Sequence, residues 1–139
     1  MSIVQTQTTS FKKELYTAVH NLSTDTIKIA LYTGNADLNE ATTVYSTTNE
    51  VPNTGTYVAG GQTMTGVAIS SSGSVAYVNW SNVSWTAALT ARCALIYNVT
   101  QGNKSIAVLD FGSDKTSTTT FTITMPANTS TTALIRSSN

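Results

Sequence analysis

The stretch Asn82–Gly112, NVSWTAALTARCALIYNVTQGNKSIAVLDFG, holds the most apolar pair of segments in the chain. Ala91–Tyr97 and Ser105–Phe111 are rich in Ala, Ile, Leu and Val. Between them Asn98–Lys104 supplies one Gly and two Asn where a turn needs them, so the stretch predicts a β-hairpin. Both runs are apolar at successive positions rather than at every second one, and this predicts central strands covered on both faces.

Working outward, Thr118–Met125 alternates Phe121, Ile123 and Met125 against Thr120, Thr122 and Thr124, the pattern of a strand with one buried face. Thr26–Thr33 sets Ile27, Ile29 and Leu31 against Thr26, Lys28 and Ala30, and predicts the first strand of the domain. Shorter strands are predicted over residues 62–70, 74–80, 83–86 and 132–136, separated by turn residues. About eight strands at such spacing predict an all-β, single-domain antiparallel β-sandwich of jelly-roll type. One helix is predicted, over Phe11–Leu22 with Ser10 as N-cap, because Phe11, Leu15, Ala18, Val19 and Leu22 share a face. Residues 1–9, uncharged around Ile3-Val4, predict an extended N-terminal arm ahead of a domain spanning 10–139. Residues 34–61 predict a long loop with turns at Gly34-Asn35, Pro52-Asn53 and Gly60-Gly61, of a length usually reserved for function or for folding over a domain edge.

Composition narrows the chemistry. Seven basic and seven acidic residues cancel and form only 10% of the chain, which argues against a groove that neutralises nucleic-acid phosphates. The missing charge is replaced by 27 Thr and 16 Ser, which keep a pleated surface wet without charge and desolvate more cheaply than ions against another protein. No apolar run reaches the length of a membrane span and MSIVQTQTTS does not read as a signal peptide, so neither membrane association nor Sec export is expected.

No catalytic, cofactor-binding or metal-binding residue is expected. The single cysteine, Cys93, sits in an apolar strand and reads as a small hydrophobe. His20 lacks a spaced partner ligand. Asp110 and Asp114 read as a strand end and a turn. Trp80 and Trp85 read as core or interface filler, although exposed on one face they would make a sugar-stacking platform. Arg92, a cation inside the apolar hairpin, needs a partner, and Asp110 on the facing strand is the candidate for a structural pair.

Several segments carry a resemblance: Phe11-Lys-Lys-Glu-Leu15, Asp25-Thr-Ile-Lys-Ile-Ala-Leu-Tyr32, Asn49-Glu-Val51, Tyr57-Val-Ala-Gly-Gly61, Ala94-Leu-Ile-Tyr-Asn98 and Val108-Leu-Asp-Phe-Gly-Ser-Asp-Lys115. Over about residues 10–136 the chain resembles a family of small tailed-bacteriophage virion structural proteins, mostly uncharacterised and of capsid cement or decoration type. The resemblance implies a non-enzymatic, homo-oligomeric part of the virion, made in the host cytoplasm. It implies attachment to the major capsid protein on the capsid surface, with no nucleic-acid or membrane partner. The arm and the long loop are then the natural shell contacts, through Ile3, Val4, Tyr45 and Tyr57. The alternative within the virion is a tail or head-fibre adhesin module that binds host surface glycan.

Overall fold

The structure, a computed structural model, describes residues 2–138; Met1 of the expected arm and Asn139 at the end of the expected domain lie outside the described residues. In chain order the elements are β1 (Thr6–Gln7), α1 (Thr9–Leu15), β2 (Ile27–Tyr32), β3 (Gln62–Thr63), β4 (Ala68–Ser72), β5 (Val75–Asn79), β6 (Val83–Trp85), β7 (Thr90–Asn98), β8 (Lys104–Thr116), β9 (Phe121–Ile123) and β10 (Ile135–Ser137). The chain is mostly β. Its strands form three open antiparallel sheets, in the orders β1-β8-β7-β2-β3, β10-β5-β4 and β6-β9. Among the described residues ten strands stand where about eight are expected. Gly66, with φ 68°, splits the predicted 62–70 strand into β3 and β4, and Thr6–Gln7 adds a strand from the arm.

The hairpin β7–β8 forms as predicted and lies in the middle of the largest sheet. Its consecutive apolar residues feed two cores. On one face Ala94 and Ile96 join Ile27, Ile29, Leu31, Trp85, Ile106, Phe121 and Ile123. On the other, Cys93, Leu95, Tyr97 and Val108 join Ala30 and Tyr32 beneath Ala36 and Leu38, with Ile3 and Tyr45 packed against them. Ala30 is therefore buried rather than outward, because the 34–61 loop folds over that face. In β9 the alternation holds, with Phe121 and Ile123 buried and Thr120, Thr122 and Thr124 exposed.

The arm is extended, and the chain itself uses it. Thr6 and Gln7 pair with Val108 and Ala107, Val4 N–H donates to Leu38 C=O (3.0 Å), and Thr8 N–H donates to Ile106 C=O (2.9 Å). The helix is shorter than the apolar stripe predicts. Thr8, not Ser10, is its N-cap and accepts from Phe11 N–H (3.3 Å). Past Leu15 the chain leaves the helix with Ala18 at φ 59°. Ala18 N–H returns to Leu15 C=O (3.3 Å) and Val19 N–H to Glu14 C=O (3.1 Å), the bond pair of a Schellman end. The stripe overran the helix because Leu22 packs against the main core from a turn, where helical spacing is irrelevant. An L-residue with a Cβ is strained at this position. Ala18→Gly is expected to stabilise the protein by roughly 0.5 kcal/mol, the strain relieved less the extra backbone entropy of glycine, read as a higher chemical-denaturation midpoint at unchanged slope.

Candidate functional site

The long loop is built around one carboxylate. After β2 the chain crosses the Ala30/Tyr32 face and reaches the start of β8, where Ser105 N–H donates to Thr43 C=O (2.8 Å) and Tyr45 N–H to Asn103 C=O (2.9 Å). It then returns to the far edge of β2, where Val51 N–H donates to Leu31 C=O (2.9 Å). Glu50 stands there half-buried. It accepts Tyr57 Oη–H (2.7 Å) and Gly60 N–H (2.7 Å) on Oε2 and Tyr45 Oη–H (2.5 Å) on Oε1. Tyr57 Oη in turn accepts Leu31 N–H (2.8 Å), satisfying a backbone donor that β3 does not reach. Tyr97 Oη donates to Gly60 C=O (2.6 Å), Tyr32 Oη donates to Ser46 C=O (2.7 Å), and Tyr45 stacks on Tyr97 with ring centroids 4.6 Å apart.

Burial first, and then the Glu50 charge, push the Tyr32 hydroxyl well above its ordinary range. Tyr45 and Tyr57 are raised by burial and by their hydrogen bonds to Glu50, and Tyr97 is pushed up to about 12 by burial and Glu50. At neutral pH these phenols are hydrogen-bond donors, which makes the cluster a bracket for the loop rather than a source of nucleophile or base.

A second polar network ties the segment after α1 to the hairpin. Asn98, completely buried, accepts Gln101 N–H on Oδ1 (3.3 Å) and donates from Nδ2 to Asp25 Oδ2 (2.9 Å) and His20 Nδ1 (3.0 Å). This fixes His20 as the tautomer whose Nε2–H donates to Glu14 Oε1 (2.8 Å). His20 is thus a satisfied structural histidine. The Asn98 hydrogen bond, opposed by desolvation and aided by Asn21 N–H and Gln101, holds the Asp25 carboxyl below its ordinary range. A depressed carboxyl contributes stability that is present above its unfolded value of 3.8 and is lost as pH falls below it. The stability difference between the wild type and Asp25→Asn is expected to shrink to nothing as pH falls from about 4 through the folded-state titration, read from denaturation midpoints at successive pH values.

Of the residues expected at a shell contact, the structure joins two and separates two. Tyr45 and Tyr57 meet on the two oxygens of Glu50. Tyr57 is a correction, since it is completely buried with its ring 5.5 Å from Trp85 and offers nothing to a partner. Tyr45 is half-buried. Ile3 is bridged to Leu38 and packed on the smaller core, while Val4 is 42% exposed. Arg92 Nη1 pairs with Asp110 Oδ1, and Asp110 also accepts Gly112 N–H (2.8 Å). The register shows why: β8 carries extra residues between Asp110, opposite Cys93, and Lys115, opposite Ala91, so a β-bulge faces Arg92. Asp110 N–H donates to Gln5 Oε1 (3.0 Å).

Trp80 and Trp85 are 5% and 1% exposed, so neither indole presents a face for stacking on a sugar. The Cys93 thiol is buried and pushed up to about 12 by that burial, an inert state. Among the described residues no group of three or more His, Cys, Asp and Glu is placed to hold a metal ion, and no helix is long and apolar enough to cross a membrane. Sequence reasoning missed Glu50 and Asn98. The sole signal for Glu50 was its place in Asn49-Glu-Val51, one of the segments that carry the resemblance; Asn98 reads as a turn residue.

No protein-family model, curated protein or solved structure matches the chain.

Proposed function

We propose that the chain is a structural protein of a tailed-phage virion, a capsid cement or decoration protein that binds the major capsid protein on the outer shell in many copies and stabilises it. In this reading the five-stranded sheet and the β10-β5-β4 sheet are the layers of a β-sandwich of jelly-roll type. The role is non-catalytic, and it rests on the resemblance together with the character of the exposed strand faces.

The surface observation carries most weight. Cross-strand neighbours on the exposed faces are hydroxyls bonded to each other, Ser84 to Thr122 (2.9 Å) and Thr90 to Thr116 (2.9 Å), and every residue of β4 is exposed and uncharged. Such faces lose little when dried against a neighbour, because no ammonium or carboxylate must leave water. Many weak symmetric contacts of this kind add up on a shell through avidity. The segments that carry the resemblance coincide with β2, β7, β8 and the Glu50 bracket, which are framework. The surfaces left for contact are Val4, Val44 and the outer strand faces, in place of Tyr57.

The test is reconstitution. Purified protein added to capsids that lack it is expected to bind until a fixed ratio to the major capsid protein is reached, and to raise the temperature at which the shell releases its genome. Binding to tails or to host glycan with none to capsids would support the adhesin reading and end this one.

A further inference from the structure

The edges of the largest sheet are closed by the chain itself. Along β8 the closure comes from β1, Gln5 and the bulge; along β2 it comes from β3, Val51 and Tyr57. The β10 edge is met by Gln7, whose Nε2–H donates to Arg136 C=O (2.9 Å). The outer edge of β4 differs. Its five residues, Ala68-Ile-Ser-Ser-Ser72, are all exposed, contain no charge or proline, and pair with β5 without a register shift. Natural sheets usually blunt such an edge with a charge, a proline or a bulge. β4 carries none of the three, so its outer backbone groups are open to a further strand.

We infer that β4 is the dimer contact of this protein, pairing antiparallel with β4 of a second copy across a two-fold axis through Ser70. The register permits it, and an axis through Ser70 engages both outward-facing residues of β4. The two-residue Gly73-Ser74 connection makes Ser72 and Val75 a hydrogen-bonded pair, so Ser70 and Ala68 also turn their backbone groups to β5, while Ile69 and Ser71 turn theirs outward. The β5–β10 side follows the same alternation, with Arg136 facing away from β5 and reached by Gln7. With Ser70 on the axis, Ile69 of each copy faces Ser71 of the other. Both residues present outward N–H and C=O, giving four backbone hydrogen bonds and one six-stranded sheet.

Charge and apolar surface fit a second copy rather than a charged partner. A neutral strand placed against itself brings no like charges together, and it offers no counter-charge to a nucleic acid or to an acidic or basic peptide. Ile69, 56% exposed, lies beside a groove of about 390 Å³ between α1 and this sheet, rimmed by Leu15 at 41% exposure. In the paired sheet the two Ile69 side chains lie diagonally across the axis on one face, within reach of each other. This inference is independent of the virion reading, since it concerns the free protein in solution.

Sedimentation equilibrium of the full chain tests it, with two variants. The wild type is expected to show a reversible monomer–dimer equilibrium. Ser71→Pro deletes an N–H that faces solvent in the monomer, a place where an edge strand tolerates proline. It should keep the wild-type circular dichroism and weaken the dimer at least about tenfold, because two of the four backbone bonds are lost. Ser70→Cys should oxidise to a covalent dimer, since residues on the axis form a non-hydrogen-bonded pair with Cα atoms about 4.5 Å apart, inside the disulfide range. A wild type that stays monomeric at millimolar concentration overturns the inference. So does a dimer that Ser71→Pro leaves intact and Ser70→Cys does not cross-link.

Discussion

Gly61→Ala is expected to cost about 4 kcal/mol or more and to leave little folded protein at 37 °C. Gly61 has φ 81°, and a Cβ there would stand 1.8 Å from the carbonyl oxygen of Ile29 and 2.6 Å from its carbon. Those atoms belong to the backbone of β2, in the centre of the core, and cannot swing aside as a side-chain tip would. The glycine is where the long loop ends and drops onto β2 to begin β3, so the strain falls on the contact that closes this edge of the sheet. Gly102→Ala is the matched control. Gly102 has a similar φ of 71° but nothing near its added Cβ, so only the cost of a left-handed conformation remains, roughly 1 kcal/mol. Urea denaturation of the two variants should separate them by several kcal/mol; equal costs would show that the approach to Ile29 relaxes.

Glu50→Ala is expected to cost about 3 kcal/mol and to lower Tm by roughly 10 °C. The carboxylate accepts three hydrogen bonds, and two of the donors, Tyr57 Oη and Gly60 N–H, bind the same oxygen. Removing it leaves the phenol of a completely buried tyrosine with only the longer 3.3 Å bond to Leu31 C=O and weakens the hold of the loop on β2. Glu50→Gln keeps an acceptor oxygen but faces one donor with an NH₂ group, so an intermediate loss is expected.

The same cluster sets the alkaline limit. The phenols of Tyr32, Tyr45, Tyr57 and Tyr97 are all raised in the folded state, so the stability they contribute is complete below an unfolded value of about 10 and is lost as pH rises beyond it toward the folded values. Of the six tyrosines, these four should gain tyrosinate absorbance only together with loss of tertiary structure. Early titration of these four, with the fold intact, would contradict the bracket.

These two sites mark the boundary of what could be read in advance. The β7–β8 hairpin and its burial on both faces were legible because consecutive apolar residues in a strand mean two cores. The Arg92–Asp110 pair was legible because a cation in an apolar strand requires a partner close across the hairpin. The end of α1 was not, since Ala18 carries no sign of its positive φ and Leu22 keeps the apolar spacing while leaving the helix. Glu50 and Tyr57 were hidden for a different reason. Their partners lie on β2 and at Gly60, a loop has no periodicity to show which side chains turn inward, and a tyrosine in a Thr-rich loop looks the same whether it faces a shell or a core. The arm was legible as extended chain, but pairing of Thr6–Gln7 with β8 depends on an edge whose position follows only from the assembled sheet.

The virion reading faces its most direct test in copy number. On that reading a phage encodes the chain, and its purified particles, separated by gel and quantified by mass spectrometry against the major capsid protein, are expected to contain the chain in hundreds of copies at a fixed ratio to the shell subunit. A handful of copies per particle would place it in the tail or a fibre, and its absence from the particle would contradict a structural role altogether.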